Sequence, residues 1–257
     1  MTARSIGSLW SHSQPPYDGF NLGTHVGDDP LAVAANRAQL EAAIGLPALW
    51  LNQVHGNRVV RADVLLARSG QVVDADGSYA LEPGVVCAVM VADCLPVLLA
   101  APQGRGVAAL HAGWRGLAGA GAMNGQGILE AGVQALCEQT ACAPAELQAW
   151  LGPCIGPTQF EVGPDVLAGF GIDPTSALAS ASAQAPQAAG FHFHRLGDDG
   201  RPRWWADLVV LARQRLFTTG VLQVQTGPWC TASDASRFFS FRRDGVTGRQ
   251  AACIWLR

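Results

Sequence analysis

The sequence predicts a layered α/β (α+β) fold, a sandwich of mixed β-sheets flanked by helices and built as a single domain over residues 1–257. Three observations carry that expectation. Hydrophobic residues make up 49% of the chain and charged residues 14%, enough apolar material for a thick core. Several apolar segments are unbroken Val/Leu/Ala runs, the pattern of strands buried on both faces. Helical and strand-like stretches alternate irregularly, which favours mixed sheets over a barrel or a Rossmann unit. No G-x-G-x-x-G and no P-loop points to a dinucleotide or a nucleoside triphosphate.

Taken in order, helices are expected at Leu31 to Ile44, Gly127 to Gln139 and Trp205 to Thr218, where apolar residues recur at helical spacing. Gly45 and Gly220 stand as C-terminal stops for the first and last. Strands are expected at Ala48 to Val54, Arg58 to Val64, Val85 to Val91, Pro96 to Ala101, Gly106 to Leu110, Leu147 to Leu151, Val221 to Gln225 and Ala251 to Leu256. The Ala/Ser/Gln/Pro stretch from Thr175 to Gly190 reads as a surface excursion.

Composition also narrows the function classes. A formal net charge of -3 gives no electrostatic reason for a nucleic-acid or anionic-membrane partner. Val85 to Ala101 is the longest apolar stretch, and with Asp93 inside it is too short and too charged to span a bilayer. No apolar run follows the N-terminus, so no signal peptide is expected. Seven cysteines without a paired CxxC read as reduced thiols in a cytoplasmic protein. Of these, Cys137 and Cys142 read as helix-end thiols, and Cys87 and Cys253 as core residues.

Three segments depart from core logic, each at the end of an apolar strand. Asn52-Gln53-Val54-His55-Gly56-Asn57 presents His55 at the tip of a turn. Within Val91 to Leu99, Asp93 and Cys94 interrupt a greasy run, and a buried carboxylate must find a partner or face a site. In Leu110-His111-Ala112-Gly113-Trp114-Arg115-Gly116 a strand delivers His111 into a loop whose glycines permit close backbone approach. Two imidazoles and a thiolate suit tetrahedral zinc, with a fourth position open to water or substrate. Structural zinc sites usually take four ligands at short local spacing; these three are far apart, so a catalytic ion held by His55, Cys94 and His111 fits better.

The segments NQVHG, ADCLPVLL and HAGWRGL, in that order, resemble the signature of the laccase-domain family. That family is also called the polyphenol oxidase or purine nucleoside phosphorylase family, and it includes a bacterial peptidoglycan editing factor. The resemblance extends to Asn21 to Asp29 with Asn36-Arg37, to Gly152 to Gly156 with Phe160 to Gly163, and to Ser240 to Gly245 with Thr247 to Arg249.

The resemblance implies the layered fold and zinc on His55, Cys94 and His111. It implies phosphorolysis of adenosine, inosine, guanosine or methylthioadenosine, with deamination of adenosine as a further activity. The alternative it carries is an amidase that removes L-Ser from a UDP-MurNAc precursor, through zinc-hydroxide or a Cys94 nucleophile with His111 as base. Catalytic roles accordingly fall to Cys94, His111 and Asp93, with Glu161 a second candidate for moving a proton. Arg115, Arg242 and Arg243 are assigned to phosphate and Trp114 and Phe160 to stacking on the purine, while Asn21 and Gln53 are further substrate contacts. His25 and Asp28 either line the pocket or cap a loop.

Copper chemistry is the weaker alternative. A multicopper oxidase needs more imidazoles than the six present, in close pairs, and only His192 and His194 form one. The axial Met of a blue-copper centre is not identifiable; Met90 is a candidate, in a strand that reads as core.

Overall fold

A computed structural model describes residues 1–4, 12–68, 72–182 and 190–257. In chain order its elements are α1 (Pro30–Ile44), β1 (Ala48–Leu49), β2 (Val59–Arg61), α2 (Ala62–Arg68), β3 (Gly77–Ala80), β4 (Val86–Val91), β5 (Leu95–Ala100), β6 (Val107–Ala112), α3 (Trp114–Ala118), α4 (Ile128–Thr140), β7 (Gln148–Leu151), β8 (Glu161–Val162), α5 (Pro164–Gly169), α6 (Pro174–Ser182), β9 (Phe191–Leu196), β10 (Pro202–Ala206), α7 (Leu208–Thr218), β11 (Gln223–Thr226), α8 (Phe241–Asp244) and β12 (Gln250–Ile254).

The strands form three sheets. The largest runs β11-β7-β5-β6-β3-β2 and mixes parallel with antiparallel pairs. A second, β1-β4-β12, is also mixed, and β8-β10-β9 is antiparallel. Side chains of β5 and β6 alternate between two cores. Leu95, Val97, Leu99, Ala108 and Leu110 pack toward α4, α7 and the small antiparallel sheet. Val107 and Ala109 pack with Cys87, Val89 and Ala252 of the β1-β4-β12 sheet. Burial on both faces is why these strands carry no polar alternation. The mixed α/β sandwich expected from the sequence is the fold observed.

Local chemistry fixes the helix ends. Asp29 caps α1 by accepting from Leu31 N, Pro30 opens the helix, and Gly45 at φ 81° closes it. Asp207 accepts from the amides of Val209 and Val210, so α7 begins at Leu208. The expected helix start at Trp205 is therefore corrected, since Trp205 and Ala206 belong to β10. The strand expected over Arg58 to Val64 is also corrected. It ends at Arg61 and turns into α2, where Asp63 accepts from the amides of Leu81 and Glu82 and pairs with Arg61.

Strand pairing of Ala48 to Val54 stops at Leu49 apart from a single bridge at Asn52. His111 and Ala112 lie inside β6, and Trp114 opens a helix, where a loop had been expected. Helix α6 takes up the first part of Thr175 to Gly190, and residues 183–189 of that expected excursion lie outside the described residues.

Candidate active site

Antiparallel pairing of β5 with β6 sets Leu95 opposite Ala112 and Pro96 opposite His111. Cys94, just before β5, is thus brought to the same end of the sheet as His111. Between β4 and β5 the chain passes from one sheet to another through Ala92-Asp93-Cys94, and Asp93 takes φ 98°, a conformation uncommon for a residue with a side chain. His55 (φ 61°) arrives from the turn after Asn52 and is solvent-exposed, whereas His111 is buried.

The close approach of these segments depends on two glycines. A Cβ on Gly113 would sit 2.5 Å from His55 Cδ2 and 3.2 Å from Cys94 Sγ, and one on Gly116 would sit 2.6 Å from Gly56 O. The HAGWRG glycines are therefore steric requirements of the site.

Cys94 Sγ lies 3.8 Å from His55 Nε2, the two imidazole centroids are 4.8 Å apart, and one ligand atom from each of His55, Cys94 and His111 falls within 4.8 Å of the others. Ligands of one tetrahedral zinc ion stand about 3.6 Å apart for sulfur to nitrogen. The donor set and its spacing therefore fit a metal ion of that kind with little rearrangement. Three segments far apart in the sequence thus meet at one cluster.

Asp76, which the sequence reading did not single out, organises this cluster. It is fully buried immediately before β3, where its carbonyl accepts from His111 N of β6. Its Oδ1 accepts from His111 Nδ1 (2.8 Å) and His55 N (2.9 Å), and its Oδ2 accepts from Gly56 N (2.7 Å) and Val54 N (3.2 Å). One carboxylate fixes the His111 tautomer, leaving Nε2 for the cluster, and also holds the backbone of the His55 turn.

Electrostatics follow this geometry. Burial pushes the Cys94 thiol up, but the charge and hydrogen bond of His111, with help from His55, bring it below the ordinary thiol value. Burial lowers His111, and Cys94 and Asp76 more than reverse it, so the imidazole sits above its usual range. Burial likewise raises Asp76, yet His111 and the amides of Gly56 and His55 hold it below the normal carboxylate value. Cys87, buried with no such neighbours, is pushed up to about 12. Position beside His111 makes Cys94 a thiolate donor; burial alone would do the opposite.

A cavity of about 160 Å³ opens onto His55 and Cys94. Trp114, Phe160 and Phe241 supply its aromatic walls, Ile155 and Leu208 its aliphatic floor, and Arg115 and Arg242 its charged rim. Arg115 lies 4.4 Å over the Trp114 ring, and Arg242 lies 5.3 Å over Phe160 while donating to the carbonyls of Gln159 and Glu161. Ile155 and Phe241 fall within segments that carry the family resemblance, without a role assigned to either, and Leu208 had no sequence signal beyond being apolar.

Other residues singled out in the sequence are placed differently. Asp93 lines the cavity, but Oδ1 accepts from Thr231 Oγ1 and Oδ2 from Arg242 N, both at 2.6 Å. The Arg243 side chain is taken up by Asp244 and by the carbonyls of Thr231, Ala232 and Phe238. Gln53 clasps the backbone of Met90 through both its amide atoms. Asn21 is buried and bonded to Gly23, Asp28 and Arg249 N. None of Arg243, Gln53 and Asn21 lines the cavity. Asp28 caps its loop, accepting from Asn21 and Asp29 N. Glu161 pairs with Arg195 and His194 on the small sheet, and His192 and His194 both lie on β9, outside the ligand cluster.

Fold and site together define an α/β protein with a His/Cys/His cluster able to hold a metal ion at the mouth of an aromatic pocket. The model of the multi-copper polyphenol oxidoreductase laccase family matches residues 1–257, and the chain belongs to that family. It is 44% identical over 246 residues to purine nucleoside phosphorylase YfiH of Shigella flexneri, covering 95% of this chain and 89% of the relative. It is 44% identical over 257 residues to purine nucleoside phosphorylase PA4543 of Pseudomonas aeruginosa, covering 100% and 92%. Among solved structures, Neisseria meningitidis protein NMB0706 aligns with TM-score 0.79 at 42% identity, and YlmD from Geobacillus stearothermophilus with TM-score 0.81 at 30%. Both alignments cover all of this chain, and 92% and 90% of the respective structures. No helix among the described residues is long and apolar enough to cross a membrane.

Proposed function

We propose that this chain is a cytoplasmic, zinc-dependent purine nucleoside phosphorylase acting on adenosine, inosine, guanosine and methylthioadenosine, with adenosine deamination as a side activity. One observation carries the reading: a His/Cys/His ligand cluster and a pocket with aromatic faces and a guanidinium rim share a single cavity. Relatives named as purine nucleoside phosphorylases at 44% identity give the same direction.

In the reaction a phosphate oxygen bonds to C1′ as the C1′–N9 bond breaks. The electron pair leaves with the purine, which takes the proton that phosphate gives up. Trp114 and Phe160 offer faces on which a purine stacks. Arg115 and Arg242 screen charge at the rim, and Leu208 and Ile155 keep water from the reacting centre. His111, oriented by Asp76, holds its Nε2 toward the cluster, and Cys94 stands as thiolate. Bound zinc would supply Lewis acidity and an activated water at that point.

Assay of the zinc-loaded protein with each nucleoside tests the reading, with ribose 1-phosphate and free base as the readouts. Product that requires phosphate supports it; no phosphate-dependent cleavage of any of the four nucleosides ends it.

The line Asp76–His111–Cys94 favours one second reading, hydrolysis of the L-Ser amide of a UDP-MurNAc precursor by a thiolate with an oriented base. Cys94→Ser would remove a zinc ligand and the thiolate together, so stripping the metal from the wild-type chain with a chelator separates the two. Amide hydrolysis that survives without zinc removes the metal mechanism, and hydrolysis that is lost with zinc and restored by it removes the metal-free thiolate mechanism.

A further inference from the structure

Half-buried guanidiniums in this fold are mostly ion-paired: Arg61 with Asp63, Arg203 with Asp199, Arg215 with Glu130, Arg243 with Asp244. Arg37 and Arg249 are also half-buried, and neither has a carboxylate within 4.0 Å among the described residues. Glu41, one turn along α1 from Arg37, spends Oε1 on Ala48 N and Trp50 Nε1.

Both cations are nevertheless held in place. Arg37 donates through Nε to Leu22 O (2.9 Å), contacts Met90 Sδ and lies 4.2 Å over the Trp50 ring. Arg249 donates through Nη1 to the carbonyls of Thr247 and Gly248, and its backbone amide is held by Asn21 Oδ1. Its stem crosses Gly23 so closely that a Cβ there would sit 2.7 Å from Arg249 Cγ. The segment from Asn21 to Gly23 is thus gripped between the two arginines, and the exposed His25 stands two residues beyond it.

Pairing of β12 with β4 sets Gln250 opposite Val91, so Arg249 stands beside the crossing that carries Asp93 and Cys94. Burial, and then the charges of Arg249, Arg37, His111 and His55, all bear on the His25 ring and hold its pKa below the ordinary value. Burial lowers the Arg249 guanidinium, and the charges of Cys94 and Asp93 partly offset that. Glu41 bears on Arg37, and Cys94 and Asp93 on Arg249, only from beyond ion-pair distance, and positioned cations taken partly out of water with no anion in contact are costly until one binds. Neither Arg115 nor Arg242 belongs to this group; they form the rim of the aromatic cavity.

We propose that Arg249, Arg37 and His25 form a subsite for a phosphate dianion beside the His55–Cys94–His111 cluster, separate from the aromatic rim. This deepens the phosphorylase reading and rests on it for the identity of the reaction, but phosphate binding is measurable without turnover. Inorganic phosphate, ribose 1-phosphate and inosine are titrated calorimetrically into the wild-type chain and into Arg249→Met, Arg249→Lys and His25→Ala.

Arg249→Met is expected to weaken inorganic phosphate at least tenfold, Arg249→Lys to recover part of that loss, and His25→Ala, at an exposed position, to weaken it about threefold. A parallel loss for ribose 1-phosphate is expected, with inosine affinity retained in all variants. Loss for the ester alone would assign the subsite to the phosphate of the product. Phosphate affinity unchanged in both Arg249→Met and His25→Ala overturns the subsite, as does an equal loss for uncharged inosine. Should Arg249→Met not fold, His25→Ala decides alone. Phosphate bound as expected, with no nucleoside ever cleaved, leaves the subsite standing and ends the phosphorylase reading.

Discussion

Two acidic residues flank the ligand cluster, and their surroundings set them apart. Asp76 is reached by four donors, one from an imidazole and three from the backbone of a single turn. Asp93 is reached by two, a hydroxyl and one backbone amide, and its own carbonyl accepts from Ile155 N. The first carboxylate orients a ligand and the loop bearing another. The second staples the crossing between two sheets to the C-terminal segment. Sequence position favours Asp93, which stands beside Cys94 in an apolar run. The donors each residue accepts tell which one governs the ligands, since a buried carboxylate's effect is set by what it holds.

The largest expected effect follows from Asp76→Asn. An amide cannot serve both sides of this carboxylate. With nitrogen toward His111, Nδ1 must accept, and the proton moves to the Nε2 needed as a ligand. With nitrogen in the place of Oδ2, it meets the N–H groups of Val54 and Gly56. Either stranded donor costs about 2–3 kcal/mol, measured by denaturant unfolding. Zinc affinity should fall roughly 10- to 100-fold, measured by competition with a chelator. Wild-type zinc affinity in a folded Asp76→Asn protein would equalise the two aspartates and remove the distinction.

Gly113→Ala is the next test and acts on the ligands without touching either carboxylate. Its backbone, φ -65° and ψ 154°, suits any residue, so the variant carries no conformational penalty of its own. Its Cβ displaces the exposed His55 ring. The fold loses about 1 kcal/mol, while zinc affinity falls about tenfold or more. Stability lost in full with zinc retained would mean that His55 is not a ligand.

How much of this was legible in the sequence follows from the range of the interactions. The need for glycine after His111 and the interruption of an apolar run at Asp93 and Cys94 are local features, and they read correctly, whereas His111, expected in a loop, continues β6. Asp76 matters through the pairing of β3 with β6, where Gly77 faces Leu110, and no local pattern encodes that register. Helix α2 was hidden because Val-Leu-Leu after Asp63 satisfies a strand period as well as a helical one, and the acceptors that stop the strand come from Asp63 to residues 18 and 19 positions away. The β9–β10 hairpin escaped for the opposite reason: His, Arg and Trp mask the alternation of its half-exposed strands. Arg37 and Arg249 are unremarkable in sequence, where a cation's missing partner leaves no trace.

Asp93→Asn is expected to have the smallest effect, and it sharpens the comparison most. The amide oxygen accepts from Arg242 N while the amide nitrogen donates to Thr231 Oγ1, a hydroxyl free to rotate from donor to acceptor. Every donor and acceptor of the staple is therefore satisfied, and asparagine tolerates the positive φ of 98° better than most residues. Stability should fall by about 0.5–1.5 kcal/mol, the difference between a charged and a neutral acceptor, with zinc affinity within about threefold. If Asp93 instead moves a proton in the reaction, turnover drops roughly 10²- to 10⁴-fold at unchanged zinc occupancy. Measuring kcat and metal content on the same preparation decides between them, because a staple lowers neither and an acid or base lowers only the first.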